Sequence, residues 1–262
     1  MIVTTAGRTE EFMIDEAKII AKELNIPFIP RKKRSIEIMQ QLFQSDCIVV
    51  GKNRLELYPL YSEKPFFFHP NSASFRIKRL NKGEKDPFIE AAKLSPGMTI
   101  LDCTMGLASD SIVASFVVGK KGKVRAIEAN KYLYFLVNKG LEKWESELEE
   151  MNQAMRRIET KNANYLDVLK ELPEKSVDVI YFDPMFEEKI LSSDGISSLR
   201  QFALYSNLNE DVLSEAKRVA KQRIILKDHF RSKRFDQYGF EVFIRKSAKF
   251  HFGIINLEKN SI

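Results

Sequence analysis

The stretch Thr99-Ile-Leu-Asp-Cys-Thr-Met-Gly-Leu-Ala-Ser-Asp110 joins an apolar strand pattern to a turn and then to a helical pattern. Gly106 lies in the turn, and the helical pattern continues to about residue 118. A strand that runs through such a turn into a helix is typical of a doubly wound sheet, in which ligands bind at the carboxyl ends of the strands. The stretch therefore predicts a parallel sheet and the edge of that sheet at which a ligand binds.

The same alternation of strands and helices continues along the chain. Further apolar strand patterns cover residues 123–127, 157–160, 177–182 and 223–227. Helical patterns cover about 109–118, 131–148, 164–171 and 209–221. Strands separated by helix-length segments indicate βαβ units with helices on both faces of the sheet. Two last strand patterns, 239–245 and 249–256, are separated by a short turn and are therefore expected to be antiparallel. The predicted fold class is α/β, with a doubly wound, mostly parallel, Rossmann-like sheet and an antiparallel C-terminal hairpin.

The first 60 or so residues have a different pattern, which predicts a small α+β region. Ser35 is placed to cap a helix from Ile36 to Phe43, because a serine hydroxyl can accept a bond from a free N–H of the first turn. The other elements expected here are a strand at 2–5, a helix at about 10–24, and a hairpin of 47–50 with 55–58. Residues 59–83 are turn-rich and basic. We therefore predict an N-terminal region of residues 1–65 and a main domain of residues 66–262.

Composition excludes several classes of protein. The chain has 262 residues, 44% of them hydrophobic, which is enough for a sizeable core without disulfides or metals. Its two cysteines are far apart and form no Cys-x-x-Cys pair, and its three histidines form no cluster with them, so neither a disulfide framework nor a zinc site is expected. No apolar run approaches the ~20 residues of a membrane helix, and the N-terminus does not resemble a signal peptide. We therefore expect a cytoplasmic protein with no metal, and the oligomeric state stays open.

The basic residues are unevenly distributed along a chain whose net charge is +6. They concentrate at 31–34, at 76–85 and at 217–234, while acids concentrate at 142–150. Such a separation can produce a basic face that attracts polyanions. Each cluster can equally be a solvated helix face, and composition alone does not choose between the two interpretations.

Two acids after neighbouring strands are candidates for a nucleoside site. Asp102 is placed to receive a ligand amine, although the stretch around Gly106 can also be an ordinary strand-to-helix turn. Glu128 ends the next strand about 20 residues after that turn, where an acid can accept bonds from both hydroxyls of a ribose. Alternatively, Glu128 is a helix N-terminal acid stabilised by the helix dipole. The single glycine does not match the Gly-x-Gly-x-x-Gly pattern of dinucleotide enzymes, which disfavours NAD.

Tyr181-Phe-Asp-Pro-Met-Phe186 ends the fourth strand pattern and resembles the Asp-Pro-Pro-Tyr signature of methyltransferases that act on exocyclic or amide nitrogens. An aromatic amine is a poor nucleophile because its lone pair is conjugated with the ring. Asp183 and the carbonyl of Pro184 can accept its two N–H bonds, and a base can stack on Phe186. The alternative is that Asp183-Pro184 only ends a strand and that Phe186 belongs to the core.

With these motifs, residues 68–257 resemble the small-subunit ribosomal RNA guanine-N2 methyltransferase J family, whose members are class I enzymes. The resemblance implies that S-adenosyl-L-methionine is the cofactor. It places the cofactor against the end of the first loop, the acid after the second strand, a pair after the third strand, and the Asp of Asp-Pro-Met-Phe. On this sequence those positions are Ser109 and Asp110, Glu128 and Ala129, Asn164 and Tyr165, and Asp183. The family usually has a glycine and an arginine where this chain has Ala108 and Ser109.

The resemblance implies methyl transfer to an exocyclic base amine of RNA, with guanine N2 of small-subunit ribosomal RNA as the favoured target. The basic residues expected to bind this RNA are Arg76, Lys78, Lys227, Arg231 and Arg234, together with Arg79 and Lys233. Two alternatives remain open at this point. One is an amino-methyltransferase of DNA or protein, and the other is a non-catalytic nucleic-acid-binding relative.

Overall fold

The computed structural model describes residues 1–60, 62, 64–184, 208–246 and 248–258. Its described residues form two compact units, one of Met1–His69 and one that begins at Pro70 and contains the rest. The predicted boundary between residues 65 and 66 stays a prediction.

The N-terminal unit is a three-stranded sheet with two helices. Its elements are β1 (Ile2–Thr5), α1 (Glu11–Leu24), α2 (Ile36–Phe43), β2 (Cys47–Val50) and β3 (Leu55–Tyr58). Strand β2 is central, parallel to β1 and antiparallel to β3, which confirms the predicted hairpin. The Ser35 hydroxyl accepts a bond of 3.1 Å from the backbone N–H of Ile38, so the predicted cap of α2 is also confirmed.

The second unit is built on a seven-stranded sheet in the order β6-β5-β4-β7-β8-β10-β9. The strands are β4 (Thr99–Asp102), β5 (Lys123–Glu128), β6 (Ile158–Asn162), β7 (Val177–Phe182), β8 (Ala220–His229), β9 (Glu241–Phe243) and β10 (Phe250–Asn256). Strands β4 to β8 are parallel, and β10 is antiparallel to both of its neighbours. The predicted α/β class, the parallel sheet and the antiparallel C-terminal pair are therefore confirmed.

Eight helices are described in this unit, and four of them were not expected. The helices are α3 (Asn71–Asn81), α4 (Pro87–Ala92), α5 (Ser109–Val118), α6 (Lys131–Lys143), α7 (Glu149–Arg156), α8 (Tyr165–Glu171), α9 (Glu210–Val219) and α10 (Arg234–Gln237). Helix α3 lies within the stretch that we interpreted as turn-rich. The prolines of that stretch all precede α3. Ala73 and Ile77 are buried one turn apart on the inner face of α3.

The prediction of a single helix at 131–148 is wrong. Helix α6 ends before Trp144, whose backbone is extended, and α7 begins at Glu149. The turn between them is held by Asn152, whose side-chain oxygen accepts bonds from the backbone N–H and the hydroxyl of Ser146. Acids at 145, 147, 149 and 150 would also repel one another along a continuous helix.

Side chains that alternate along the strands are buried on both faces of the large sheet. On one face Leu101, Ile180 and Leu226 belong to the core that contains residues of α8 and α9, and on the other Ile100 and Val179 pack with α4 and α5. In such doubly wound sheets, ligands bind at the carboxyl ends of the strands. Within the described ranges, no helix combines the length and apolar composition that a membrane span needs.

Gly253 of β10 provides a test of how α10 packs on the sheet. A Cβ atom at this position would lie 2.6 Å from the Phe235 ring and 2.8 Å from Cβ of Phe240. We therefore expect Gly253→Ala to lower the free energy of unfolding by ~1–3 kcal/mol, as overpacking does, when measured by urea denaturation. In a Phe235→Leu background the same change should cost less, because the smaller side chain gives way. A single variant as stable as the wild type would contradict this packing.

Candidate active site

The carboxyl edge of the parallel strands collects four charged side chains. Asp102 ends β4, Glu128 ends β5, Asp183 directly follows β7, and Lys227 lies near the end of β8. Because β5 and β7 flank β4, and β8 lies beside β7, these residues come from four adjacent strands. The ligand edge predicted from the sequence is therefore lined with acids and one buried amine.

Asp102 organises the loop between β4 and α5. Its carboxylate accepts a bond of 3.0 Å from the backbone N–H of Thr104 and one of 2.5 Å from the hydroxyl of Ser111. Burial raises the pKa of Asp102 to about 7 although these bonds oppose it. Both oxygens already have partners, one in the loop and one in α5, and the expected role toward a ligand amine stays a prediction.

Gly106 and Glu128, paired in the sequence by their spacing, contact each other directly. The backbone N–H of Gly106 donates to the Glu128 carboxylate over 3.2 Å, and that of Asn130 donates to its other oxygen over 2.9 Å. Burial raises the pKa of Glu128, while bonds from backbone N–H groups oppose the rise. The loop backbone at Gly106 has a φ of +48°, and that at Ala108 has a φ of +60°. Ala108, at the position where the family usually has glycine, is thus left-handed although it carries a Cβ atom.

Ser109 and Asp110 begin α5, and their side chains differ in how many hydrogen bonds they form. The Ser109 hydroxyl is buried and has no hydrogen-bond partner among the described residues. Asp110 accepts bonds from Arg76 (2.5 Å), from the Tyr181 hydroxyl (2.8 Å) and from Lys227 (3.2 Å). Burial alone would raise the pKa of Asp110, but the two cations hold it well below its usual range.

Asp183 is fixed at both its backbone and its side chain. Its backbone N–H donates to the Thr104 hydroxyl over 2.6 Å, and one carboxylate oxygen accepts a 2.6 Å bond from the Lys227 amine. Burial raises the pKa of Asp183, the Lys227 charge lowers it, and the nearby Asp110 raises it again; the net direction is upward. The two carboxylates in turn raise the pKa of Lys227, although burial alone would lower it.

Arg76 ties helix α3 to this edge. Its guanidinium donates two bonds to Asp86, of 2.7 and 2.8 Å, and a third to Asp110. Sequence reasoning missed Asp86, Thr104 and Tyr181. A signal did exist for Asp86, because an acid directly before a proline is a typical helix start, and Asp86 caps α4 through the backbone N–H groups of Phe88 and Ile89.

Five of the seven basic residues expected to bind RNA fall into two groups. Arg76 and Lys227 are paired with acids of this edge, and Arg234 forms a 2.7 Å ion pair with the buried Asp228. Lys78 and Arg231 are exposed and form no ion pair in the part of the chain that the structure describes. The role of all five in RNA binding stays a prediction, but the charges available to a phosphate are those of the second group.

The remaining cofactor candidates lie at the carboxyl ends of β5 and β6. The Ala129 carbonyl accepts a 3.2 Å bond from the Asn162 side chain. Asn164 is exposed and caps α8 through the backbone N–H of Leu166. Tyr165 is buried, with its ring 5.6 Å from that of Phe182 in an edge-on contact.

Of the last two candidate residues of the acceptor motif, the structure describes one. Pro184 follows Asp183 and is half-buried, whereas Phe186 lies outside the described residues, so its expected stacking role stays a prediction. Among the described residues, no group of three or more His, Cys, Asp or Glu is placed to hold a metal ion.

The family model described as "Putative SAM-dependent methyltransferase" matches residues 32–250. The chain belongs to this family. The methyltransferase is 50% identical to the uncharacterized protein YpiP of Bacillus subtilis over 97% of this chain and 98% of that one. It is 27% identical to the ribosomal RNA small subunit methyltransferase J of Coxiella burnetii over 82% of each chain. The family resemblance stated from the motifs is confirmed.

A solved structure supports the fold. A SAM-dependent methyltransferase from Neisseria gonorrhoeae superimposes with a TM-score of 0.64 over 99% of this chain and 97% of that one, at 15% sequence identity. The match to the family of SAM-dependent methyltransferases over residues 32–250 identifies S-adenosylmethionine as the cofactor of this enzyme, as predicted. The residues at the edge fit it: the Ser109 hydroxyl is a buried polar atom in need of a partner, and the Glu128 carboxylate is held by backbone N–H groups at the end of β5.

Glu128 is the residue on which cofactor affinity is expected to depend most directly. We expect Glu128→Ala to weaken S-adenosylmethionine binding by ~1–3 kcal/mol, because ribose hydroxyls would lose a buried acceptor. Titration calorimetry measures this change. The matched control is Glu159→Ala on the neighbouring strand β6, which removes a half-exposed acid that pairs with Lys123 and Arg125. Equal affinity of wild type and Glu128→Ala would remove Glu128 from the site.

Proposed function

We propose that this methyltransferase modifies an exocyclic base amine of RNA, with guanine N2 of small-subunit ribosomal RNA as the favoured target. The proposal is supported by the relatives whose names assign them to the small-subunit ribosomal RNA, and by the presence of Asp183-Pro184 at the end of β7. Such a substrate would place the protein in the cytoplasm. The single observation that carries the proposal is the geometry of Asp183.

Only one oxygen of the Asp183 carboxylate is bonded to Lys227, so the other has no partner among the described residues and can accept an N–H of the substrate amine. The Pro184 carbonyl follows in the chain and can accept the second N–H. Two such bonds fix the amine and orient its lone pair, and correct positioning supplies much of the rate enhancement of a transfer reaction. When bound, S-adenosylmethionine supplies the electrophilic methyl group.

Asp183 must be ionised to accept this N–H. Lys227 provides the opposing charge that keeps the buried carboxylate ionised, and Asp110 holds the amine of Lys227 in place from its other side. We therefore propose that Lys227 and Arg76 organise the acidic edge, a role that their ion pairs favour over direct contact with phosphates.

The pH profile tests the role of Lys227. Lys227→Met removes the charge that lowers the pKa of Asp183, while burial and Asp110 continue to raise it. A higher pKa means that the carboxylate is lost at a higher pH, so the acidic limb of kcat/KM should move upward by ~1–3 pH units. Lys227→Arg keeps the charge and should move the limb less. Superimposable acidic limbs for wild type and Lys227→Met would contradict this role.

Asp183 itself is tested by a change that preserves its shape. We expect Asp183→Asn to fold and to lose methyl transfer by about 10²–10⁴-fold, because the amide is a weaker acceptor and carries no charge. Radiolabelled methyl incorporation measures the rate, and calorimetry measures cofactor affinity alongside, which separates chemistry from binding. Asp167→Asn on the exposed start of α8 is the matched control. Full activity of Asp183→Asn would rule out this mechanism.

The substrate is identified by mass-spectrometric mapping of methylated nucleosides in ribosomal RNA from cells with and without the gene. Loss of one N2-methylguanosine from the small-subunit RNA is the expected result, and purified enzyme should restore it. Methyl transfer by the purified enzyme to DNA or to a protein amide, but not to RNA, would contradict the RNA assignment.

A further inference from the structure

A row of rings and cations continues outward from Lys227 along β8 and β10. The aromatic–basic strip, as we call it, consists of Phe230, Arg231, Phe250 and Arg245, with His229 and His251 between them. All six lie in the second unit, at or just after the end of β8, at the start of β10 and two residues after the end of β9. His229 and Phe250 are partners in the antiparallel register, so the two strands bring the strip together.

Phe230 presents an aromatic ring to solvent at this end of the sheet. It is 43% exposed although it follows one of the most buried strands of the protein. Its ring centroid lies 4.6 Å from that of His229 and 6.1 Å from that of His251, and the Arg231 guanidinium lies 5.0 Å from it. Phe230 is thus surrounded by planar polar groups, which distinguishes it from a core residue that is partly uncovered.

The cations of the strip are available, unlike those nearer the acidic edge. Arg231 and Arg245 form no ion pair with any acid among the described residues, and the guanidinium of Arg245 lies 4.3 and 5.9 Å from the ring centroids of Phe250 and Phe252. The nearest acid of β8, Asp228, is already neutralised by Arg234. A guanidinium with unused donors is well suited to bind a phosphate.

The strip is continuous with the site that contains Asp183. The ring of Phe250 lies 5.0 Å from the Lys227 amine and 4.3 Å from Arg245, and the same amine donates to Asp183. Phe250 and Arg245 therefore form the end of the strip that lies beside the amine bonded to Asp183.

We propose that the aromatic–basic strip binds the single-stranded RNA next to the target nucleotide, with one base stacked on Phe230 and phosphates bound by Arg231 and Arg245. This inference rests on the proposed function and deepens it. Basic grooves with interleaved aromatic rings are the usual means of binding single strands, because each base has a face to stack and each phosphate carries a charge. A duplex keeps its base faces inside the stack, so it cannot use Phe230 in this way.

Fluorescence anisotropy with the full chain and a labelled single-stranded RNA of about 12 nucleotides tests the strip over a range of salt concentrations. Phe230→Leu should weaken binding by about 5- to 100-fold at each salt concentration, since the loss of stacking does not depend on charge. Phe230→Trp retains a stacking face and should bind as well as the wild type. Leucine keeps an apolar side chain of similar size but has no stacking face. If the strip binds a protein and not RNA, Phe230→Leu should bind RNA as well as the wild type does.

Arg245→Gln should weaken binding in a salt-dependent way, with the log–log slope shallower by ~0.7 for the lost phosphate contact. Lys121→Gln is the matched control, since it removes one exposed positive charge next to the amino end of β5, at the opposite edge of the sheet. S-adenosylmethionine affinity should be the same in all these variants.

Failure of the strip and failure of the proposed function give different results. If the wild type methylates RNA while Phe230→Leu and Arg245→Gln bind RNA as Lys121→Gln does, the strip is overturned and the function stands. If the wild type neither binds nor methylates RNA although it binds S-adenosylmethionine, both proposals are overturned.

Discussion

The Asp110 carboxylate is the point at which the elements of the second unit are joined electrostatically. It accepts from Arg76 of α3, from Tyr181 of β7 and from Lys227 of β8, while its own backbone belongs to the first turn of α5. Loss of one member of a buried charge network leaves the others uncompensated, which costs more than the pair contributes in isolation. The arrangement of α3, α5, β7 and β8 at the ligand edge therefore depends on a single acid.

This network also determines what the neighbouring acids can do. Asp102 and Glu128 are held by backbone N–H groups of the loops, whereas Asp183 is held by a cation that Asp110 positions. The edge thus contains acids of two kinds. The two that accept bonds from backbone N–H groups are among the acids predicted to bind the cofactor, and the one bonded to a lysine is the acid that we propose accepts the substrate amine.

The sequence predicted the sheet, the ligand edge and the Gly106–Glu128 pair, because these depend on periodicity and on spacing along one or two neighbouring segments. It did not predict α3, since the prolines around residues 59–70 outweighed a short helical pattern. The pairing of Arg76 and Lys227 with acids was also missed. Such pairs join residues 34 and 117 positions apart, and no local pattern records which of many basic residues faces inward. The basic stretches were therefore interpreted as one surface, whereas the structure divides them into neutralised and available charges.

Arg76 has a practical consequence for how this protein can be divided. The helix that carries it precedes β4, the first strand of the large sheet, in the sequence. A shortened chain that begins at β4 would keep every loop of the cofactor site, yet it would bury Asp110 with one cation fewer. The minimal enzyme therefore has to start before Asn71, because the helix before the fold is part of the charge balance inside it.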